Sequence, residues 1–404
     1  MDYYGLLLFF VLEYVRPASY IPFLYVLHLN VIVPISVFLI SLGNKSHITN
    51  TDVFNTFNFR IVLFFLFLIL ISIFTAEVTL YAYTLFINTL GYVLVVFMMI
   101  KILSDVERIK GVFFILILSH VLIIALNPEI ITDPTTRHYL ATGSFLGDGN
   151  DFALSLNIIL PFSIYLFLTV KSFFKRYFYA AFSILLVLSI IGTSSRGGTL
   201  TLIALLLYFW WKSSRKMLGA IAVTILAVTV LAFAPQNYFE RMETISEYHQ
   251  DGSAMGRIMA WKAATKMGMD HPFLGVGAGH FSVKFGLEYR PEGFGRTELP
   301  WLTAHSQYFL ALGELGIPGL IFIVAFFFFN LKRNNQLIKV LNKNFKNEYP
   351  NYHKLLLCLN TSLIAYAVGG AFLSTLYYPH LFVLAGLHES TRIIINKELR
   401  EGLS

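Results

Sequence analysis

Three basic side chains stand in polar turns beside strongly apolar runs, and they are the residues of this chain best suited to chemistry. Arg196 lies in the turn T-S-S-R-G-G, Arg257 opens the run R-I-M-A-W-K-A-A, and His305 lies in the run A-H-S-Q-Y-F-L. A guanidinium binds phosphate oxygens in a fixed fork. An imidazole titrates near neutral pH and accepts a proton from a hydroxyl. These residue types therefore suit phosphate binding and the activation of a hydroxyl group.

Each of the three residues also has a structural interpretation. Arg196 could extend its side chain toward lipid headgroups. The segment after Arg257, with a tryptophan and two lysines (Lys262 and Lys266), could form a helix that lies on the membrane surface. Its apolar side is predicted to carry Ile258, Trp261, Ala264 and Thr265. A histidine at the entrance of a membrane span could be an interfacial residue with a satisfied ring, so both interpretations stay open at this level.

The polar residues that follow His305 are weaker candidates. Glu314 lies nine residues further on, or about 13 Å along a helix, which is too far to orient His305 directly. It is predicted to be a buried polar residue with a structural role. Gln307, in contrast, lies near enough to His305 to support the site. Helical spacing would place His305 and Tyr308 on one face. No His, Asp or Glu cluster has the spacing of metal ligands, so the sequence predicts no metal site.

Three glycines at alternate positions stand in the run P-F-L-G-V-G-A-G over residues 272–279. The run has no lysine followed by serine or threonine, and no strand–helix–strand context surrounds it, so a nucleotide-binding loop is not expected. It predicts a tight backbone path.

The composition is that of an integral membrane protein. Of 404 residues, 56% are hydrophobic and only 13% are charged, against roughly 25% charged in a soluble domain. The first apolar block is read as a retained span, because no small-residue cleavage site follows it. The single cysteine, Cys358, excludes a disulfide within one chain. The net charge of +7 is better explained by the distribution of basic residues around a membrane than by nucleic-acid binding.

Apolar runs predict an all-α polytopic protein with about twelve transmembrane helices. The expected spans are 3–15, 21–42, 60–76, 79–100, 111–127, 151–170, 177–194, 197–211, 217–235, 303–331, 354–375 and 378–395, the first being short. The chain thus divides into an N-terminal transmembrane bundle (1–235), a long loop with short amphipathic helices (236–302), and C-terminal helices with a tail (303–404).

The basic residues predict the orientation of these spans. With the N-terminus inside, 20 of the 30 Lys and Arg residues fall on the inside and 10 on the outside, seven of these in the long loop. The positive-inside rule then places both termini in the cytoplasm and the 236–302 loop outside. A positive charge retained outside runs against this bias, which favours a functional role for Arg196. We favour anion binding for Arg257 as well.

Three polar features fall on the same outer face under this topology. They are the segment 147–151, which includes Asn150 and Asp151, the turn that carries Arg196, and the long loop that ends at His305. Their convergence predicts one extracytoplasmic site.

These motifs resemble a known family. The segments R-I-M-A-W-K-A-A, D-H-P-F-L-G-V-G-A-G-H-F and A-H-S-Q-Y-F-L-A-L-G-E-L-G-I-P-G-L, together with T-S-S-R-G-G and G-D-G-N-D-F-A, are similar to those of the O-antigen ligase and polymerase superfamily. The resemblance covers residues 145–320 and departs from the family where Ser306 replaces an asparagine that often follows the histidine. It implies a GT-C-like inner-membrane glycosyltransferase with one large periplasmic loop.

The resemblance also implies a chemistry. The donor would be a glycan on undecaprenyl diphosphate, with no nucleotide sugar, cofactor or metal required. Arg196 and Arg257 would hold the diphosphate and His305 would activate the acceptor hydroxyl, with Asn150, Asp151, Gln307 and Glu314 as supporting residues. We expect an inverting glycosyltransferase in a bacterial inner membrane, of the ligase type that uses lipid A–core as its acceptor. The alternatives are a polymerase that extends a lipid-linked repeat, a ligase that acts on protein, and a transporter of lipid-linked sugars.

Overall fold

The computed structural model describes residues 2–43, 48–133, 140, 145–212, 216, 252–291, 301–344 and 350–401. Within these residues, the regular secondary structure is helical throughout. The helices are α1 (Asp2–Tyr14), α2 (Pro17–Tyr20), α3 (Leu29–Gly43), α4 (Asn50–Phe54), α5 (Phe57–Thr75), α6 (Thr79–Ile102), α7 (Val106–Leu126), α8 (Glu129–Thr132), α9 (Gly149–Thr169), α10 (Phe173–Gly192), α11 (Arg196–Lys212), α12 (Gly252–Asp270), α13 (Phe281–Leu287), α14 (Gln307–Asn344), α15 (Pro350–Gly369) and α16 (Pro379–Glu401), with a 3₁₀ turn at Pro22–Tyr25.

Six of these helices are long and apolar enough to cross a membrane, namely α5, α6, α7, α9, α10 and α14. Five of them coincide with predicted spans to within about five residues, and α14 covers most of the predicted span 303–331 but ends at Asn344. This agreement confirms an all-helical membrane protein. Helices α1, α11, α15 and α16 lie where four further spans were predicted. The predicted span 217–235 falls outside the described residues. The total of twelve spans and the GT-C-like arrangement therefore stay predictions.

Two predicted spans are not continuous helices. Over 21–42 the chain forms the 3₁₀ turn and then α3, because His28 adopts a left-handed backbone with φ 45° between them. Over 303–331 the helix begins only at Gln307 and is kinked at Gly316, whose φ is 68°. A side chain at Gly316 would lie 2.5 Å from the carbonyl oxygen of Pro272, so only glycine allows this contact.

Helix α9 is the centre of the bundle. Its residues from Phe152 to Pro161 are all buried, and α7, α10, α11 and α15 pack around it. In a membrane such packing rests on close van der Waals contact between helices, because lipid tails are as apolar as the side chains. Helix α9 is consequently held in place by four neighbouring helices, and its first turn lies at the edge of a cavity.

Candidate functional site

A cavity of about 440 Å³ opens where several helix ends meet. Four segments and the single residue Arg257 of α12 line it. The segments are the first turn of α9, the turn between α10 and α11, the residues before α14, and the loop between α15 and α16. The lining residues are Asp148, Gly149, Asn150, Asp151, Thr193, Ser194, Arg196, Gly197, Arg257, Thr303, His305, Leu373, Ser374 and Tyr378. The cavity therefore unites Asn150, Asp151, Arg196, Arg257 and His305, which the sequence singled out from three separate regions.

The turn that carries Arg196 is fixed by its own backbone. Ser194 has a left-handed φ of 52°, and the Ser195 hydroxyl accepts a hydrogen bond from the Gly198 N–H at 3.0 Å. A side chain at Gly198 would come within 2.6 Å of the Ala153 side chain, so glycine lets α11 approach α9 closely. Arg196 is the first residue of α11, where the backbone N–H groups and the helix dipole favour an anion.

The first turn of α9 brings acidic groups to the same cavity. The Asp148 side chain accepts a hydrogen bond from the Asn150 N–H at 2.8 Å and caps the helix. The Asp151 side chain interacts with the Tyr378 hydroxyl across the cavity wall. A carboxylate at a helix N-terminus is stabilised by the helix dipole. The lining thus contains two arginines, two aspartates and one histidine, which suits a ligand that has both anionic and hydroxyl groups.

Arg257 is positioned by the packing of α12 against the first half of α14. The buried stripe of α12 consists of Ala260, Ala263, Ala264 and Met267, and the Trp261 ring stacks on Phe309 with 5.2 Å between ring centroids. Of the predicted apolar side, Ala264 is fully buried, whereas Ile258, Trp261 and Thr265 are half-buried along a groove next to that stripe.

Both lysines of α12 belong to that groove and not to the cavity. Lys262 and Lys266 are exposed and line the groove together with Trp261 and Met269. Lys266 lies over the Tyr289 ring, 5.9 Å from its centroid. Arg257 is therefore the basic residue of α12 that faces the candidate site.

His305 occupies a constrained turn just before α14. Its φ is 48°, a left-handed conformation that is uncommon for residues other than glycine. Its N–H donates to the Ser374 hydroxyl at 2.9 Å, and its Nε2 lies 3.4 Å from the Thr303 hydroxyl. The half-buried imidazole is thus presented to the cavity by a turn, so the predicted helical face shared with Tyr308 is wrong.

Gln307 and Glu314 lie outside the cavity lining. The Gln307 N–H donates to the Gly370 carbonyl at 2.7 Å, and its side-chain oxygen accepts from the Thr375 hydroxyl at 3.3 Å. These contacts join the start of α14 to the loop that holds Ser374. Any support that Gln307 gives to the cavity is therefore indirect.

Glu314 anchors the glycine run to α14. Its carboxylate accepts hydrogen bonds from the Gly279 N–H and the Phe281 N–H, both at 2.9 Å, and from the Tyr377 hydroxyl at 2.7 Å. The glycines at 275, 277 and 279 all have positive φ. The run is a tight backbone path, as predicted, and Glu314 is buried, as predicted. A supporting role of Glu314 at the site stays a prediction.

Two other histidines near the long loop have different surroundings. His280 is fully buried. Its Nε2 accepts from the Val78 N–H at 3.0 Å and its Nδ1 lies 2.9 Å from the Ala278 carbonyl. His271 is exposed in a bend after α12. His305 is therefore the histidine that lines the cavity among those the structure describes.

Sequence reasoning missed the contribution of the loop between α15 and α16. Ser374 holds the His305 backbone and Tyr378 contacts Asp151. The short polar run S-T-L-Y-Y-P between two apolar runs falls on the outer face in the predicted topology. From that placement, the sequence could have predicted that this loop forms part of the cavity wall.

The family comparison covers half of the residues that line this site. The O-antigen ligase family profile (Wzy_C) matches residues 156–324, which extend from α9 to the first half of α14. The match supports the O-antigen ligase superfamily. It includes Arg196, Arg257 and His305, whereas Asn150 and Asp151 precede it. A search of curated proteins gave no significant match. Over the matched residues the chain is therefore similar to the O-antigen ligase family, which points to a glycosyltransferase-like enzyme.

Proposed function

We propose that this protein is an inverting glycosyltransferase that moves a glycan from undecaprenyl diphosphate to an acceptor sugar hydroxyl. The observation that carries the proposal is the convergence of Arg196, Arg257 and His305 on one cavity from three separate segments. Its volume lies within the range of ordinary ligand pockets. It accommodates the reacting part of a donor, and a long glycan would extend out of the opening.

The two arginines would bind the diphosphate. Arg196 comes from the first residue of α11 and Arg257 from the second turn of α12, so they approach the cavity from different elements. A fork of N–H donors on each side suits the oxygens of a diphosphate, and the α11 dipole adds a partial positive charge. When the glycosidic bond to the diphosphate breaks, negative charge grows on the departing oxygen, and these fixed donors stabilise it.

His305 would activate the acceptor. The neutral imidazole takes the proton of the acceptor hydroxyl while that oxygen bonds to the anomeric carbon. The bond from the anomeric carbon to the diphosphate oxygen breaks, and its electron pair leaves with undecaprenyl diphosphate. Attack from the opposite side inverts the anomeric configuration. Asn150 and Asp151 would hold sugar hydroxyls by hydrogen bonds, and the scheme needs no cofactor, nucleotide or metal ion.

The ligase reaction, with lipid A–core as the acceptor, is the form that we favour, because the motif between Arg257 and Glu314 looks most like that branch of the superfamily. A polymerase would use a second lipid-linked repeat as the acceptor. A protein ligase would use a serine or threonine hydroxyl, and a transporter would move the lipid-linked sugar without breaking the bond between the glycan and undecaprenyl diphosphate. Purified enzyme that is given the donor with each acceptor in turn distinguishes these outcomes by the product formed.

Lysine substitutions test the diphosphate role. Lysine keeps the charge of arginine but loses the fork geometry. We therefore expect Arg196→Lys and Arg257→Lys to fold normally and to lose most transfer activity, with weaker binding of the donor. Lys262→Arg, which alters a cation outside the cavity, is the matched control. Normal transfer by both lysine variants would contradict diphosphate binding and favour simple anchoring in lipid headgroups.

We further propose that the cavity faces the periplasm of a bacterial inner membrane, with both termini in the cytoplasm and the loop 236–302 outside. The basic residues support this orientation, because Lys171 and Lys175 follow the far end of α9 and Lys212 ends α11 away from the cavity. In a Cys358→Ala background, His271→Cys should react with an impermeant maleimide in intact cells whose outer membrane is permeabilised. Lys339→Cys should react only after lysis, and the reverse pattern would invert the orientation.

A further inference from the structure

A second cavity, of about 460 Å³, lies at the opposite end of α16 from the candidate site. The end of α6 and the two residues after it form one side, and the last turns of α16 form the other. The lining residues are Ile48, Lys101, Leu103, Ser104, Ile393, Ile394, Asn396, Lys397, Arg400 and Glu401. None of these residues has a role in the proposed reaction.

The two cavities lie at opposite ends of a helix that is long enough to cross a membrane. Tyr378, which lines the candidate site, immediately precedes α16, and the α16 side of the second cavity extends from Ile393 to Glu401. These residues follow Tyr378 by 15 to 23 positions, or about 22–35 Å along a helix, and the hydrocarbon core of a bilayer measures about 30 Å. When the candidate site lies at one membrane surface, the end of the second cavity that holds Lys397 and Arg400 lies at the headgroup level of the other leaflet.

The charges in this second cavity favour an anion. Three cations (Lys101, Lys397 and Arg400) line it with one carboxylate, Glu401, which lies 3.8 Å from the Lys397 ammonium. Lys101 is only 5% exposed, and its ammonium donates to the Asn50 side-chain oxygen at 2.6 Å. The cavity thus has one fixed cation in its wall and two more on the last turns of α16.

The rest of the lining is aliphatic. Ile48 and Leu103 stand on one side, and Ile393 and Ile394 stand on the other. A free phosphate ion would leave this surface uncovered, whereas a phospholipid would cover it with its glycerol and the first methylene groups of its chains. Basic pockets between membrane helices on the cytoplasmic side commonly bind anionic headgroups.

We propose that this cavity binds the headgroup of one anionic phospholipid, with Lys397 and Arg400 contacting the phosphate. The cavity is built jointly by α6 and α16, so a bound lipid joins the two helices. The inference rests on the described residues of this cavity and is independent of the proposed glycosyl transfer.

Native mass spectrometry of the purified full-length protein in an uncharged detergent tests the proposal. Titration with dioleoyl phosphatidylglycerol should give one tight binding event. The double variant Lys397→Gln/Arg400→Gln should weaken that event by about tenfold or more, because each basic residue near the membrane surface adds to the attraction of an anionic lipid. Dioleoyl phosphatidylethanolamine and inorganic phosphate should each bind far more weakly to the unmodified protein.

Matched variants separate this site from general charge effects. Lys339→Gln/Lys343→Gln removes two exposed lysines from the corresponding end of α14 and should retain full affinity. Lys397→Arg/Arg400→Lys should also retain it. Equal loss in both glutamine variants, equal affinity for the zwitterionic lipid, or equal binding of inorganic phosphate would each overturn the proposal, and these comparisons do not require transfer activity.

Discussion

His305 and Glu314 lie nine residues apart on the same segment, yet they use their polar groups in opposite ways. Glu314 is 2% exposed, and its carboxylate is enclosed by two backbone N–H groups and the Tyr377 hydroxyl. His305 is half-buried and lines an open cavity. An ionisable side chain in a membrane protein is a functional candidate by default. The comparison shows that access to a cavity, and not ionisability alone, separates a candidate for chemistry from a structural anchor.

The largest expected effect concerns His305, the residue of this comparison that lines the cavity. General-base catalysis contributes about 10²–10⁴ in rate, so His305→Ala should slow single-turnover transfer by roughly that factor. Donor binding should change little, because the diphosphate contacts are assigned to the two arginines. Single-turnover measurements with a synthetic lipid-linked donor give the rate directly.

Two other histidines provide controls for that measurement. His271→Ala changes an exposed side chain and should leave the rate unaltered. His280→Ala removes the acceptor of the Val78 N–H and should lower thermal stability more than the rate. A slow His271→Ala enzyme beside a normal His305→Ala enzyme would show that the wrong histidine has been chosen.

The second expected effect concerns Glu314, the structural anchor of this comparison. Glu314→Ala removes the acceptor of the buried Phe281 N–H and of the partly buried Gly279 N–H and Tyr377 hydroxyl, which should lower the free energy of unfolding by about 3 kcal/mol. Glu314→Gln keeps one acceptor oxygen and should cost less. Thermal unfolding in detergent measures both variants. If Glu314→Gln proves as stable as the unmodified protein but abolishes transfer, Glu314 belongs with the catalytic groups and the distinction drawn above fails.

The sequence predicted which residues line the cavity better than it predicted how those residues are arranged. Apolar runs located the helices, and charge bias placed 147–151, Arg196 and His305 on one face. These are local and compositional signals, and they can be detected in a single sequence. The kink at Gly316 and the left-handed turn at His305 depend on the carbonyl of Pro272 and the hydroxyl of Ser374. Those contacts join residues 44 and 69 positions apart, and no local pattern specifies them.

The third expected effect concerns the packing that presents Arg196. Gly198→Ala would place a side chain 2.6 Å from the Ala153 side chain, whereas Gly197→Ala would place one 3.6 Å from Phe372. Overpacking of this kind typically costs about 1–3 kcal/mol, so Gly198→Ala should lower both thermal stability and transfer. Gly197→Ala meets only an ordinary contact and should be nearly as stable as the unmodified protein. Equal stability of the two variants would mean that α11 can move away from α9 without consequence.

The smallest expected effect concerns the basic residues of helix α12. Lys262 and Lys266 share α12 with Arg257 but line the separate groove beside Trp261. Exposed substitutions away from special contacts usually change stability by less than about 0.5 kcal/mol, and salt screens exposed charges beyond about 10 Å. Lys262→Gln/Lys266→Gln should therefore keep near-normal transfer at moderate ionic strength, while Arg257→Gln loses most of it. Transfer rates of the two variants should be measured at low and moderate salt. A double lysine variant as slow as Arg257→Gln at both concentrations would show that α12 presents one continuous basic surface to the donor, and the cavity alone would then no longer define the binding site.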